Sequence, residues 1–78
     1  MKEEIGFVKA NVHRFKILEF LKKEDASIEK ISKKLRIRKN DVEKTLKELE
    51  DKNLIFGEKS IYKITDRGEK VIKEAKMR

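Results

Sequence analysis

The chain has 78 residues and a net charge of +7, and 47% of its residues are charged against 37% that are hydrophobic. A chain of this length can bury only one small core, so we expect a single domain over residues 1 to 78, with residues 1 to 6 and 76 to 78 frayed. Cysteine is absent, which excludes disulfides and thiolate metal sites, and the single histidine, His13, has no second imidazole to complete a zinc site. We therefore expect neither a metal nor any other cofactor.

The sequence indicates no class of enzyme. It offers no Cys/His or Ser/His/Asp set, no glycine-rich phosphate loop and no helical metal-binding motif. No apolar run approaches the roughly 20 residues of a membrane span, and the N-terminus lacks the apolar stretch of a signal peptide. We therefore expect a cytoplasmic protein with no membrane partner. Glutamine is absent while Lys, Glu and Ile abound, a bias that favours a thermophilic source.

The first predicted element is an amphipathic helix over about residues 7 to 24. A second, short helix follows, which Ser27 can cap and which ends near Leu35. Glu29 lies in its first turn, beside the positive end of the helix dipole, and Ile28 and Ile31 face inward. The stripe of the first helix recurs at three- and four-residue steps through Phe7, Val8, Val12, Phe15, Leu18 and Leu21, with Ile17 and Phe20 widening it.

A third helix is predicted after a four-residue break. Val42, Leu46 and Leu49 lie at i, i+4 and i+7, which gives this helix one apolar face. The helix runs to about Lys52, and Asn53 is suited to the left-handed conformation that ends a helix.

Beyond Asn53 the pattern changes from helical to extended. The stretch LIFGEKSIYKIT contains two short runs of β-branched and aromatic residues around residues 57 to 60, which predicts a small hairpin. Thr65 and Asp66 then offer a cap for a last helix with the apolar stripe Val71, Ile72 and Ala75. The predicted fold is mainly α with a small β-hairpin, in the order helix-helix-helix-strand-strand-helix.

The most basic part of the chain is KISKKLRIRK, residues 30 to 39, which carries six positive charges and no acidic residue. It spans the end of the second helix, the break and the start of the third. A basic excess attracts polyanions, and for a small soluble domain the commonest polyanion is nucleic acid. A charge run can equally be a solvated face, so its structural setting decides between the two interpretations.

The stretch SIEKISKKLRIRKNDVEKTLKELEDKNLI, followed by YKITDRGEKV, resembles the small winged helix-turn-helix regulators of archaea and bacteria. The resemblance covers about residues 8 to 75 and rests on the ordered combination of short helix, tight turn, second helix and two short strands. It implies that residues 28 to 35 are the positioning helix, residues 39 to 52 the recognition helix and residues 54 to 64 the wing. It also implies a transcriptional regulator that binds double-stranded DNA, with the recognition helix in the major groove and the basic stretch on phosphates.

The candidate DNA-binding residues follow from this placement. Asn40 and Lys44 are expected to read bases, since Asn can pair with adenine and Lys with guanine. Lys47 lies on the same outward side of the recognition helix, and Lys59 is the cation at the tip of the wing. The cations at the turn are expected on phosphates. The full set is Lys34, Arg36, Arg38, Lys39, Asn40, Lys44, Lys47 and Lys59.

Several residues depart from the family pattern. Arg36 stands where a glycine is usual and Arg38 where a serine usually caps the helix, so the turn either costs conformational energy or is built differently. Asn40 with Glu43 resembles a capping box, which would occupy the Asn40 side chain. A pair such as Glu43 with Lys47 can stabilise the helix locally instead of leaving the lysine for DNA. The carboxylates on or beside the outward face, which would repel phosphates, are Asp41, Glu43, Glu48 and Asp51.

Three further questions stay open. The alternative function is a winged-helix protein interaction module whose basic surface docks on an acidic partner. Lys63 and Arg67 are either additional phosphate contacts or ordinary exposed cations. A homodimer through the first and last helices would use apolar residues that otherwise close the core. These residues are Ile5, Phe7, Val8, Val71, Ile72 and Met77.

Overall fold

A computed structural model describes residues 1 to 77 as five helices and one two-stranded antiparallel hairpin. This order confirms the predicted architecture, with one helix more than the sequence indicates. The fraying expected at Arg78 lies outside the described residues. In chain order the elements are α1 (Lys2–Lys9), α2 (Val12–Lys23), α3 (Ile28–Leu35), α4 (Lys39–Asp51), β1 (Ile55–Glu58), β2 (Ile61–Ile64) and α5 (Asp66–Lys76).

The single helix predicted over residues 7 to 24 is wrong, because the chain breaks at Asn11. The Asn11 backbone is extended, and its side-chain oxygen accepts hydrogen bonds from the N–H groups of His13 at 2.8 Å and Arg14 at 3.2 Å. Asn is among the strongest N-cap residues, so a new helix begins there although the apolar spacing continues across it. Residues 2 to 6, which the sequence leaves frayed, belong to α1, and α1 packs against α5 and α2. Val12, predicted inward, is 65% exposed at the start of α2.

The core lies around α2, which packs against the other four helices and β2. Each helix contributes the residues of one face, as expected for helices that are held by tertiary packing rather than by intrinsic propensity. The aromatic residues Phe7, Phe15 and Phe20 are only partly buried and pack around the edge of this core. The fully buried side chains are Val8, Ile17, Leu18, Leu21, Ile31, Val42, Leu46, Leu49, Leu54, Val71 and Ile72.

The hairpin is the predicted wing, with its tip one residue further along than the centre of the predicted turn. Gly57 pairs with Tyr62 inside the ladder, and Lys59 and Ser60 form a two-residue loop with φ of 53° and 69°. Positive φ at both loop residues is the signature of a type I′ turn, whose twist matches that of the strands. Ala26 also exchanges two backbone hydrogen bonds with Tyr62, at 3.2 and 2.8 Å. The hairpin is therefore tied to the segment that leads into α3.

Helix α5 starts where the sequence places its cap. The Thr65 hydroxyl accepts a hydrogen bond from the Gly68 N–H at 3.0 Å and donates one to the Asn53 carbonyl at 2.8 Å. Asn53 has φ of 61°, which confirms its predicted left-handed conformation at the end of α4. One threonine thus joins the end of α4 to the start of α5.

Candidate nucleic-acid interface

The turn between α3 and α4 is built on Ser32, Arg36 and Ile37. Arg36 has φ of 57° and ψ of 46°, the left-handed conformation, and its N–H donates to the Ser32 carbonyl. The N–H of Ile37 reaches the same carbonyl at 3.2 Å, while the Ser32 hydroxyl donates to the Ile37 carbonyl at 2.5 Å. Ile37 is buried, whereas Arg36 and Arg38 on either side of it are exposed. A buried isoleucine therefore anchors the turn and leaves its two arginines on the surface.

Helix α4 begins without a side-chain cap. Arg38 occupies the N-cap position, and no side chain there bonds to the free N–H groups of the first turn. The capping box predicted for Asn40 and Glu43 is wrong, because Arg36 and Ile37 complete the turn early and Asn40 becomes the second residue of the helix. The Asn40 side chain is exposed. Its amide is consequently available to an external partner.

The outward face of α4 is polar along its length. Its buried residues are Val42, Thr45, Leu46 and Leu49, and on a helical wheel Asn40, Lys44 and Lys47 lie on the opposite side. No ion pair joins two residues of α4 within residues 1 to 77, so the local pair expected between Glu43 and Lys47 is not formed. The lysines of this face are therefore free of helix-local partners.

All eight candidate residues are exposed, and none of the seven cations among them has an ion-pair partner in the described part of the chain. Within the basic stretch only Lys30 is neutralised, by Glu24 at 2.6 Å. That hydrogen bond lowers the pKa of the Glu24 carboxyl below its ordinary value. Lys33 is likewise exposed and without an ion-pair partner among these residues. It belongs to the same surface, although the sequence did not single it out from the other lysines.

The structure brings seven of the eight candidates onto α3, the turn and α4, and places Lys59 apart from them at the hairpin tip. Lys59 lines a shallow depression together with Asp25 and Glu58, so its surroundings contain two carboxylates. The other two candidates for phosphate contact are already paired, Lys63 with Glu58 at 3.3 Å and Arg67 with Glu4 at 2.6 Å. The cationic surface is therefore the helix-turn-helix corner, which we define as residues 33 to 47 of α3, the turn and α4.

Glu43, Glu48 and Glu50 of α4 lie on its flanks, whereas Asp51 lies four residues after Lys47 on the outward face. Burial raises the pKa of the Tyr62 hydroxyl above its ordinary value, and the negative charges of Glu50 and Glu43 raise it further. On a helical wheel Glu43 and Glu50 lie together on one flank of the outward face. On the other flank, Glu48 accepts a hydrogen bond from Arg14 of α2 at 3.1 Å. No pattern in the sequence predicts this contact, because its partners lie far apart along the chain and each looks like an ordinary surface charge.

A metal-binding cluster is not formed by residues 1 to 77. They contain no group of three or more His, Asp or Glu side chains arranged to hold a metal ion. Among the helices that the structure describes, none has the length and apolar character required to cross a membrane.

The chain is similar to known proteins over most of its length. The model of a family described as winged helix-turn-helix matches residues 13–78, which leaves α1 outside the match. Among solved structures, ZitR of Lactococcus lactis is 29% identical, with a TM-score of 0.76 over 83% of this chain and 47% of ZitR. The chain therefore spans about half the length of ZitR. No curated protein sequence matches the chain.

Proposed function

We propose that this chain, which belongs to the winged helix-turn-helix family, is a transcriptional regulator that binds double-stranded DNA through its helix-turn-helix corner. In the proposed complex α4 lies in the major groove, with Asn40 and Lys44 at base edges and Lys47 beside them. Lys34, Arg36, Arg38 and Lys39 contact phosphates. The family similarity supports the general function, and the exposure and free charge of the corner support the proposed residues.

The observation that carries this proposal is that two arginines occupy positions where stability favours other residues. Arg36 is in the left-handed conformation, which costs an L-residue about 1–2 kcal/mol and which glycine adopts without that cost. Arg38 stands at an N-cap, where Ser or Asp would stabilise the helix by about 1 kcal/mol. Backbone strain like that of Arg36 concentrates at functional sites. Two exceptions on either side of Ile37, both of which place a guanidinium on the surface, favour a polyanionic partner over a merely solvated face.

The chemistry of the outward face fits a duplex. An Asn amide can both donate to and accept from adenine in the major groove, and a Lys ammonium can donate to both acceptors of guanine. Asn40 and Lys44 are one turn apart on α4 and have no side-chain partners among the described residues. Guanidinium groups at the preceding turn suit phosphate oxygens, which they can bind through two parallel hydrogen bonds.

The hairpin has a minor part in this proposal. Its two-residue tip offers Lys59 alone, and that lysine lies beside Asp25 and Glu58. We therefore assign to the wing no more than one contact with the DNA backbone. The proposal gives the protein no catalytic role and places it with the chromosome, in the cytoplasm.

A homodimer is the second part of the proposal, with a seam different from the one predicted. Val8, Val71 and Ile72 are fully buried within one protomer, so the seam expected from them is wrong. The exposed apolar residues in this region are Val12 and Met77, at 65% and 69% exposure. Val12 also lines a shallow apolar groove between α2 and α5 with Phe15 and Ala75. Sedimentation equilibrium tests the dimer: a monomer at all concentrations would contradict it, and Val12→Lys should shift a dimer toward monomer.

The test of DNA binding is the salt dependence of the dissociation constant for a labelled duplex of mixed sequence, followed by fluorescence anisotropy. Four phosphate contacts per protomer predict that the logarithm of the association constant falls against the logarithm of the salt concentration with a slope of about −3.6. A single-stranded oligonucleotide of the same sequence is the control and should bind more weakly. Absence of binding to the duplex at low salt would contradict the proposal and would favour the alternative, docking of the basic corner on an acidic protein.

A further inference from the structure

Arg14 of α2 connects α1 with α4. Its Nε donates to Glu48 Oε1 at 3.1 Å, and its Nη1 donates to the Phe7 carbonyl at 3.0 Å. The guanidinium carbon also lies 3.8 Å from the centre of the Phe7 ring. Lys52, just after α4, approaches the same ring at 5.4 Å. Arg14 is thus held on three sides by groups from two other elements.

This arrangement uses properties that only arginine has. A planar guanidinium can stack on an aromatic ring and still donate in its own plane, whereas an ammonium is a point donor. The Arg14 side chain is only 19% exposed, so its pair with Glu48 is screened less by water than a more exposed pair such as Lys30 with Glu24. The Glu48 carboxylate is therefore held toward α2.

Glu48 lies on α4 near the lysines of the outward face, so the pair between Arg14 and Glu48 affects whether those lysines are free. Lys44 precedes Glu48 by four residues, which is the spacing at which side chains of opposite charge meet on a helix. In the structure Lys44 has no ion-pair partner within residues 1 to 77, and of the two carboxylates at neighbouring helix positions, Asp41 and Glu48, only Glu48 is held by another residue, Arg14. Without Arg14, Glu48 would either pair with Lys44 or remain as an unpaired negative charge beside the DNA.

We infer that Arg14 is a positioning residue for DNA binding: it keeps the Glu48 carboxylate on the inner flank of α4 and thereby keeps Lys44 available to the duplex. Arg14 itself does not contact DNA in this arrangement, since it faces α1 and α4. The inference rests on the proposed function, because it concerns the availability of a lysine that the proposal places at base edges.

The test compares Arg14→Gln with Lys76→Gln. Lys76 pairs with Glu19 at 3.1 Å, between α5 and α2, so both variants remove one positive charge and one ion pair, but only the first touches α4. We expect Arg14→Gln to weaken binding to the duplex by about fivefold or more and Lys76→Gln by about twofold or less. The first variant releases the Glu48 carboxylate on the helix that binds DNA, whereas the second removes a charge on α5, whose effect on the duplex is weakened by distance and by salt. Circular dichroism of each variant gives the folded fraction, and the dissociation constant is calculated for folded protein.

The double variant Arg14→Gln/Glu48→Gln separates positioning from a purely structural role. Removing the released carboxylate should restore the affinity to within about twofold of the unchanged protein, whose net charge the double variant shares. A structural role alone would lower the melting temperature without changing the affinity of the folded molecules. Glu48→Gln by itself should change the affinity by no more than about twofold, because Arg14 already neutralises that carboxylate.

The outcomes are distinct. If the unchanged protein binds the duplex and Arg14→Gln loses no more affinity than Lys76→Gln, the inference fails and the proposed function stands. If Glu48→Gln alone raises the affinity by more than about twofold, Arg14 does not hold the carboxylate away from the DNA, and the inference again fails. If the unchanged protein does not bind the duplex, the proposed function fails and the inference fails with it.

Discussion

Gly68 of α5 lies directly against the backbone of Leu54, so that a Cβ on Gly68 would be 2.1 Å from the Leu54 carbonyl oxygen. The same carbonyl accepts the hydrogen bond of the Thr65 N–H at 3.0 Å. Leu54 joins α4 to β1, so this contact sets how closely α5 approaches the junction between α4 and the hairpin. The glycine is needed here for close approach, since its backbone has no positive φ.

We predict that Gly68→Ala destabilises the protein by about 3 kcal/mol, because the clash is with backbone, which cannot rotate away. Urea unfolding followed by circular dichroism measures this. Gly6→Ala is the matched control: no atom lies within 4 Å of its Cβ position, and alanine in the middle of a helix should stabilise by about 0.5–1 kcal/mol. Equal effects of the two substitutions would contradict the packing that we describe at Leu54.

Arg36→Gly should make the protein more stable and a poorer DNA binder. The substitution relieves the left-handed strain, and part of that gain is offset by the greater freedom of glycine in the unfolded chain, which leaves roughly 0.5 kcal/mol. Loss of one phosphate contact should reduce the magnitude of the salt slope by about 0.9. Lys73→Gln, an exposed cation of α5, removes one charge without changing that slope. Identical slopes for both variants would exclude Arg36 from the interface.

Ser60→Gly should stabilise the hairpin without affecting DNA binding. Ser60 has φ of 69° at the second loop position, where type I′ turns strongly prefer glycine. We expect a gain of roughly 0.5 kcal/mol in the free energy of unfolding. Ser27→Gly is the control: Ser27 has φ of −85° and caps α3, so this change should destabilise by a few tenths of a kcal/mol, about 0.3. A loss of stability in Ser60→Gly would show that the tip is not a type I′ turn.

The single tyrosine reports on the contact between α4 and the hairpin. The pKa of Tyr62 is raised from 10.0 by burial and by the charges of Glu50 and Glu43. A raised pKa means that the folded state holds the phenol proton more tightly, so this stabilisation is fully present below pH 10 and is lost as the pH rises through the folded-state pKa. Glu50→Gln should bring the pKa closer to 10.0, and Glu19→Gln, whose carboxylate is not among the charges that raise it, should not.

Tyrosinate absorbance measures this titration without interference, since the chain contains one tyrosine and no tryptophan. The reference is the same titration in concentrated guanidinium chloride, where the pKa should return to its ordinary value. If the folded and unfolded proteins titrate together, neither burial nor the charges of Glu50 and Glu43 act on Tyr62 as described.

The sequence alone predicts the secondary structure correctly where local signals agree with tertiary packing. Ser27, Asn53 and Thr65 occupy the cap positions that their side chains favour, and the apolar spacing of α3, α4 and α5 matches their buried faces. The order of elements and the exposure of the basic corner follow from these signals. Periodicity failed at Asn11, because the three- and four-residue spacing of apolar residues continues across a cap that only the side-chain hydrogen bonds reveal.

The capping of α4 and the flanks of the corner needed the structure. The helix starts at Lys39, as the family resemblance implies, but Asn40 with Glu43 has the residues of a capping box and does not form one, because Arg38 occupies the N-cap position. The contact of Arg14 with Glu48 links residues 34 positions apart, and no local pattern predicts which carboxylate a surface arginine will reach. Long-range pairing of charges is decided by how helices pack and not by their own sequences.

The most direct test of the account is an amide NMR titration of the protein with a duplex of mixed sequence, at low and at moderate salt. We predict that shift changes cluster at residues 33 to 47, with a small effect at Lys59, and that they shrink as the salt concentration rises. No change at low salt, or small changes spread evenly over the lysines of every helix, would contradict DNA binding through the helix-turn-helix corner.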